Sequence, residues 1–259
     1  MLTQSLTINN SHIYQSDSHY GHFLSNDFDN LLTYPSLINK DLLYSEQPSL
    51  EHMKTRDRIL HTTLELFNLC GEPNVTTIDI ANEMDISPGN LYYHFRNKDE
   101  IIFELFVMFE SSISDVLDTP QTIDLDMVDY WMYTHMIFEK IWEYRFFYRD
   151  IVSILERNEK LQKRFNRIID KKAQVSKNIL TNMAELGSVS LNSQQIESIA
   201  TNMVITGTYW LNFLQMRNIG KTLPEEDLGK GVYQVMSLIV PYLPDESKEA
   251  LEEVAASYL

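Results

Sequence analysis

Residues 76–102 read TTIDIANEMDISPGNLYYHFRNKDEII, and this stretch decides the fold. Thr76 offers a capping oxygen, and Asp79 supplies an acid three residues on, the reciprocal pattern that opens a helix. That helix is short and runs to about Met84. Ser87-Pro88 then gives a cap followed by proline at the first helical position, where a missing N–H costs nothing and φ is already helical. Leu91, Tyr92 and Phe95 carry this second helix. Asn97-Lys98-Asp99-Glu100 caps another, which continues through Ile101, Phe103, Leu105 and Phe109. Two short helices joined by Asp85-Ile86-Ser87 predict a helix-turn-helix, whose second member is the one expected in the DNA major groove.

The helical pattern extends outward on both sides. Upstream, Ile59, Leu60, Leu64, Phe67 and Leu69 form an apolar stripe that Cys70-Gly71-Glu72-Pro73 ends, with glycine as the cap and proline beyond. Downstream, helical periodicity fills about 124–157, 159–186 and 193–218, then 225–242 and 245–257 behind Pro224 and Pro244. With no alternating strand pattern and no internal repeat, the fold class is all-α. The expected organisation is a helix-turn-helix head at 54–98 and a larger helical domain at 99–259. Residues 1–53 read as a flexible N-terminal extension, rich in Ser, Asn and His. Met53 stands directly before the first strong helix, so 1–52 also fit an upstream start.

Composition narrows the function classes. The chain has 259 residues, 44% of them hydrophobic, with 8 Gly and 8 Pro, which fits a globular helical protein. A single cysteine, Cys70, excludes an intrachain disulfide and a Cys-rich zinc site, and suits a reducing cytoplasm. No charged n-region precedes an apolar core at the start, and no apolar run approaches about 20 residues, so neither a secretory leader nor a membrane span is expected. The net charge of −16 divides as −5 over 1–52, −5 over 53–110 and −6 over 111–259. Phosphate binding therefore has to rest on a few placed cations, hydroxyls and helix N-termini rather than on bulk charge.

The stretch from Arg58 to Phe106, above all the quoted segment, resembles the DNA-binding domain of the TetR family of bacterial transcriptional regulators. The resemblance covers about 55 residues and implies a role for each position. Thr77, Tyr93, His94 and Lys98 would contact phosphates, with Thr76 beside them. Ser87, Pro88, Gly89, Asn90 and Tyr92 would face the bases or the adjoining backbone, and Asn90 is suited to an adenine edge. Leu91 and Phe95 would pack the helix onto the head. Ile78 stands where many relatives place a polar contact, which shifts readout onto the third helix of the head.

The same resemblance implies a homodimer on a near-palindromic double-stranded DNA operator, joined by the last two long helices. Ile196, Ala200, Met203, Gly207 and Leu211, with Val232, Val235 and Ile239, recur at three-to-four spacing and are the expected interface, Ala200 and Gly207 allowing close approach. The aromatics of 127–148 exceed what a minimal core needs. A pocket for a small apolar or amphipathic effector is expected at Trp131, His135, Phe138 and Trp142, with Trp210. His135 and Glu139 stand one helical turn apart but lack a third ligand, so packing is the expectation there rather than a metal. The basic run Arg157, Lys160, Lys163, Arg164, Arg167, Lys171, Lys172 and Lys177 reads as a solvated face. No nucleophile–base pair, phosphate loop or cofactor signature is present, so no catalysis and no cofactor are expected. The expected function is a cytoplasmic, ligand-responsive repressor; a structural, nucleoid-associated protein of the same fold is the alternative.

Overall fold

The computed structural model describes residues 53–119, 127–224 and 227–256. The expected N-terminal extension, 1–52, lies outside them. Among the described residues there are eleven α-helices and no strand: α1 (Thr55–Cys70), α2 (Thr77–Glu83), α3 (Pro88–His94), α4 (Lys98–Asp118), α5 (Met127–Glu143), α6 (Arg145–Arg149), α7 (Ile151–Arg157), α8 (Glu159–Glu185), α9 (Ser193–Arg217), α10 (Asp227–Met236) and α11 (Asp245–Ala256). None of the described helices is long and apolar enough to cross a membrane.

The head follows from its caps. Thr76 and Asp79 close the reciprocal capping box at α2, Ser87 caps α3 with Pro88 behind it, and Asn97 accepts from the Glu100 amide at 2.9 Å to start α4. Asp85, at φ 52°, makes the left-handed turn between α2 and α3, a conformation a short acidic side chain tolerates. Ile59, Phe67, Ile80, Leu91 and Phe95 form a small buried core beneath them.

In the body, α8 packs along α9 and α4, α10 lies across α5 and α9, and α11 closes over α5. Phe106, Phe109, Phe147, Tyr148 and Phe165 fill the centre, with neighbouring ring centroids 5.2–6.3 Å apart. The basic run departs from its expected solvated face. Arg164 pairs with Glu110 of α4, Lys171 with Asp118 at 2.8 Å, and Lys177 with Glu197 of α9, so α8 is cross-linked to both neighbours. Lys172 is buried. It continues the stripe Leu161, Phe165, Ile168, Val175, Ile179 at helical spacing, the signal that would have placed it inside.

The expected dimer stripe is corrected. Ala200, Val232 and Ile239 are 0% exposed, and Met203, Leu211 and Val235 are buried with them, so they form the protomer's own core, whereas Ile196 is half-buried. Gly207 shares that inward face, and a Cβ there would meet nothing within 4 Å. The glycine that permits close packing is instead Gly231 of α10, where a Cβ would strike the Phe138 ring and lie 2.6 Å from Trp210 Cδ1. The most regular apolar stripe of a helix buries first against its own chain. The outward face of α9 carries a second stripe, Ile205, Tyr209, Phe213 and Met216, all exposed.

Candidate nucleic-acid interface

Helices α2 and α3 present one exposed face. Ser87, Pro88, Gly89, Asn90, Tyr92 and Tyr93 all lie on it, Tyr93 at 84% exposure. Leu91 and Phe95 are fully buried and hold α3 to the head. The Thr77 hydroxyl and the Tyr92 phenol are hydrogen-bonded at 3.0 Å, which ties α2 to α3 and sets the Tyr92 ring. His94 is half-buried and meets the Tyr93 ring edge-on at 5.1 Å. Gly89 has only the Ser87 hydroxyl near the site of a Cβ, at 3.8 Å, so the backbone here is open to close approach.

Two expected phosphate donors are occupied elsewhere. Thr76 donates its hydroxyl to Asp79 at 2.6 Å and accepts from the Asp79 amide, so it serves the cap. Those bonds, hydroxyl first and Thr76 amide second, hold the Asp79 carboxyl below its ordinary range, and desolvation opposes them only weakly. Lys98 donates to the carbonyls of Glu72 and Val75 at 2.9 and 3.1 Å and pairs with the Glu72 carboxylate at 2.8 Å. Two of the ammonium's three N–H donors go to these carbonyls, and the ion pair with the buried carboxylate draws the charge inward. Lys98 therefore closes the turn after α1 rather than reaching outward, which corrects its expected role.

Sequence reading missed the joint between head and body. Glu72 is 1% exposed and also pairs with Arg157 at the end of α7, at 3.0 Å, so one buried carboxylate bridges both regions. Asn68 donates to the Glu143 carbonyl at 2.8 Å and accepts from the Phe146 amide at 3.0 Å. Arg149 donates to the Phe67 carbonyl at 2.8 Å, and Gly71, at φ 91°, leaves space for that guanidinium: a Cβ would lie 2.7 Å from it. Gly71 and Glu72 were legible only as a helix stop, because their partners in the body, Arg149 and Arg157, lie far along the chain. A cleft of about 310 Å³ opens beside this joint, lined by Asn68, Cys70, Arg145, Arg149, Gln215 and Lys221.

Of the expected effector residues, Phe138 alone lines the small cavity in the body, a space of about 40 Å³ bordered also by Tyr133, Lys172, Ser176, Met203 and Gly207. Trp131 and Trp142 are buried, with Arg145 stacked on the Trp142 ring at 4.9 Å. His135 Nε2 lies 3.4 Å from Glu139. Trp210 meets Phe138 over Gly231 and donates its indole N–H to the Asp227 carbonyl at 3.0 Å.

The chain is similar to known proteins along most of this structure. A family model described as "Bacterial regulatory proteins, tetR family" matches residues 59–105, and one described as "Bacterial transcriptional repressor" matches 108–251. A solved TetR-family transcriptional regulator from Marinobacter aquaeolei is 35% identical, with a TM-score of 0.72 over 80% of this chain and 99% of that one. The Mycobacterium smegmatis AmtR structure, 17% identical, shares the fold at a TM-score of 0.56 over 82% of this chain and 97% of that one. The transcriptional regulator QacR of Staphylococcus aureus is 28% identical over 125 residues, 46% of this chain and 66% of that protein. The regulator AcrR of Shigella flexneri is 30% identical over 66 residues, 26% of this chain and 31% of that protein.

Proposed function

Because the chain belongs to the TetR family of bacterial transcriptional regulators, which bind DNA, we propose that it is a ligand-responsive repressor that holds a near-palindromic operator as a homodimer. The observation that carries this reading is the exposed face of α2 and α3. In this reading the exposed Asn90 contacts a base edge, and Tyr93, His94, Thr77 and Ser87 contact the sugar-phosphate backbone around it. With Lys98 and Thr76 engaged internally, hydroxyls and backbone amides take a larger share of the grip. That suits a chain with net charge −16.

One recognition helix reads too few base pairs for genomic specificity, so two heads are needed. The outward stripe Ile205, Tyr209, Phe213 and Met216 of α9 supports a two-fold contact, since it is apolar, exposed and on one face. The ties from Asn68, Arg149 and Glu72 to the body support transmission: a shift of α6 or α7 moves the C-terminal end of α1 with it. An effector that prefers the body conformation incompatible with operator spacing lowers DNA affinity by population shift. Such a repressor acts in the cytoplasm. The test is selection of bound fragments from a random double-stranded DNA pool by the full chain. Enrichment of one near-palindrome supports the reading; uniform retention without an enriched motif favours the structural, nucleoid-associated alternative and overturns it.

A further inference from the structure

The body core contains a cation that no carboxylate among the described residues neutralises. Lys172 is 6% exposed, yet among the described residues no carboxylate lies within ion-pair distance of it. Its ammonium donates to the Tyr148 phenol at 3.0 Å and sits 5.3 Å from that ring's centroid. One phenol cannot satisfy three N–H donors, and a buried charge without a counter-charge is expensive. The neighbouring cations of α8 are all paired or exposed, so Lys172 differs from them in kind. It borders the 40 Å³ cavity. The Tyr133 phenol, also bordering that cavity, is buried and has no hydrogen-bond partner among the described residues. The rest of the wall is mainly apolar, with Leu117, Ile137, Phe138, Ile141, Met203 and Val235, and Thr134 and Ser176 are its polar exceptions.

We propose that this cavity binds a monocarboxylate with an apolar body, its carboxylate accepting from Lys172 and Tyr133 and its hydrocarbon lying against Phe138, Ile141 and Met203. This rests on the ligand-responsive reading and names the class of effector. A carboxylate is acceptor-only with about four lone-pair sites, so it answers the ammonium and the phenol together; an amine or a polyol does not. A phosphate or dicarboxylate brings a second charge to a wall that offers one cation. The cavity has room for about one water at liquid density, so the ligand widens it. Gly207 presents no side chain there, and Met203 is unbranched and adaptable. Desolvation lowers Lys172 to about pKa 7, and a bound carboxylate restores its proton.

The test is calorimetry of the full chain with benzoate and octanoate against their neutral counterparts benzamide and octanamide. At least one acid is expected to bind tenfold or more tightly than its amide, with net proton uptake seen as a dependence on buffer ionisation enthalpy. Lys172→Met keeps length and burial, so it is expected to fold with an unchanged or raised melting temperature, to lose that preference and to lose the proton uptake. Tyr133→Phe, a milder change, is expected to weaken the acid several-fold and leave the amide unchanged. Equal binding of acid and amide, binding of neither, or an acid preference that survives Lys172→Met overturns the inference. Operator binding is measured separately: its absence fails the regulator reading, whereas intact operator binding with indifferent calorimetry fails this proposal alone.

Discussion

The Lys98 ammonium lies 2.8 Å from the Glu72 carboxylate, at the junction of the head and the body. Glu72 is buried and also holds Arg157, so the pair belongs to a three-charge bridge in which the anion sits between the two regions. A cation at the start of α4 looks from the sequence like a phosphate contact. Its geometry makes it a clamp on the turn that follows α1.

Lys98→Ala is therefore expected to lower the melting temperature and to leave the salt slope of DNA binding unchanged. A phosphate contact would lower that slope by about 1. Glu72→Gln, which strips both cations of their anion, is expected to cost about 3 kcal/mol, the lower end for a broken buried pair because Lys98 and Arg157 keep some contact with water. Urea unfolding and a gel-shift series in increasing salt check both. A reduced slope with unchanged stability for Lys98→Ala would return it to the DNA surface.

On the DNA face, Tyr93→Phe is expected to weaken binding to operator and random duplex by the same factor, because a phosphate carries no sequence. Asn90→Ala is expected to relax preference at one or two positions, at about 1–3 kcal/mol each. Competition with single-base operator variants separates the two behaviours. Uniform weakening for Asn90→Ala would move it to the backbone.

Gly231 is the tightest glycine contact in the body, between the Phe138 ring and the Trp210 indole. Both rings are held, Phe138 by burial and Trp210 by its bond to the Asp227 carbonyl, so neither yields freely. Gly231→Ala is expected to cost about 1–3 kcal/mol through overpacking, despite alanine's better helix propensity. Gly207→Ala, with open space around it, is expected to be neutral or stabilising. Thermal melts of the two variants, compared directly, decide the ranking.

The head was legible in the sequence because its determinants are local. Thr76 with Asp79, Ser87 with Pro88, and Asn97 with Glu100 each act over three residues, and the structure realises all three caps. The body was legible as helices but not as surfaces. A periodic stripe says that one face is buried, not against what, so Ala200 and Val232 read as an interface and proved to be core. Lys172 was counted with a basic run by composition, although its register with Ile168 and Val175 placed it inside. Glu72, Asn68 and Gly71 owe their roles to Arg157, Phe146 and Arg149, contacts that no local pattern encodes.

The lowered pKa of Lys172 has a signed consequence. Burial favours its neutral form, so its folded value is about 7 against an unfolded 10.5. Between those values the unfolded chain binds more protons than the folded one, so this group makes stability rise with pH across 7–10.5; below 7 its cost is complete and constant. Lys172→Met removes the titration. The variant's advantage over the unmodified chain is expected to be greatest at and below pH 7 and to shrink steadily by pH 10. Urea unfolding of both proteins at pH 6.5, 8 and 9.5 measures it, and an advantage that does not vary with pH would show that Lys172 titrates normally.

The outward face of α9 bears on assembly. Tyr209 and Phe213 are 49% and 43% exposed, one helical turn apart, with Ile205 and Met216 continuing the row. Both rings are largely outside the core, although Phe213 also stacks on Trp210 at 5.5 Å. Replacing both with Asp is therefore expected to leave the monomer folded, at some cost in stability, while putting two charges into an apolar contact. The doubly substituted chain is expected to run as a monomer in light scattering at micromolar concentration. It should lose at least tenfold in operator affinity, since each head then binds its half-site alone. Gly207→Ala serves as the control, because it lies on the opposite face and is expected to leave association unchanged. An unmodified chain that is monomeric yet binds operator fully, or a double variant that still associates, would place the contact elsewhere on the molecule.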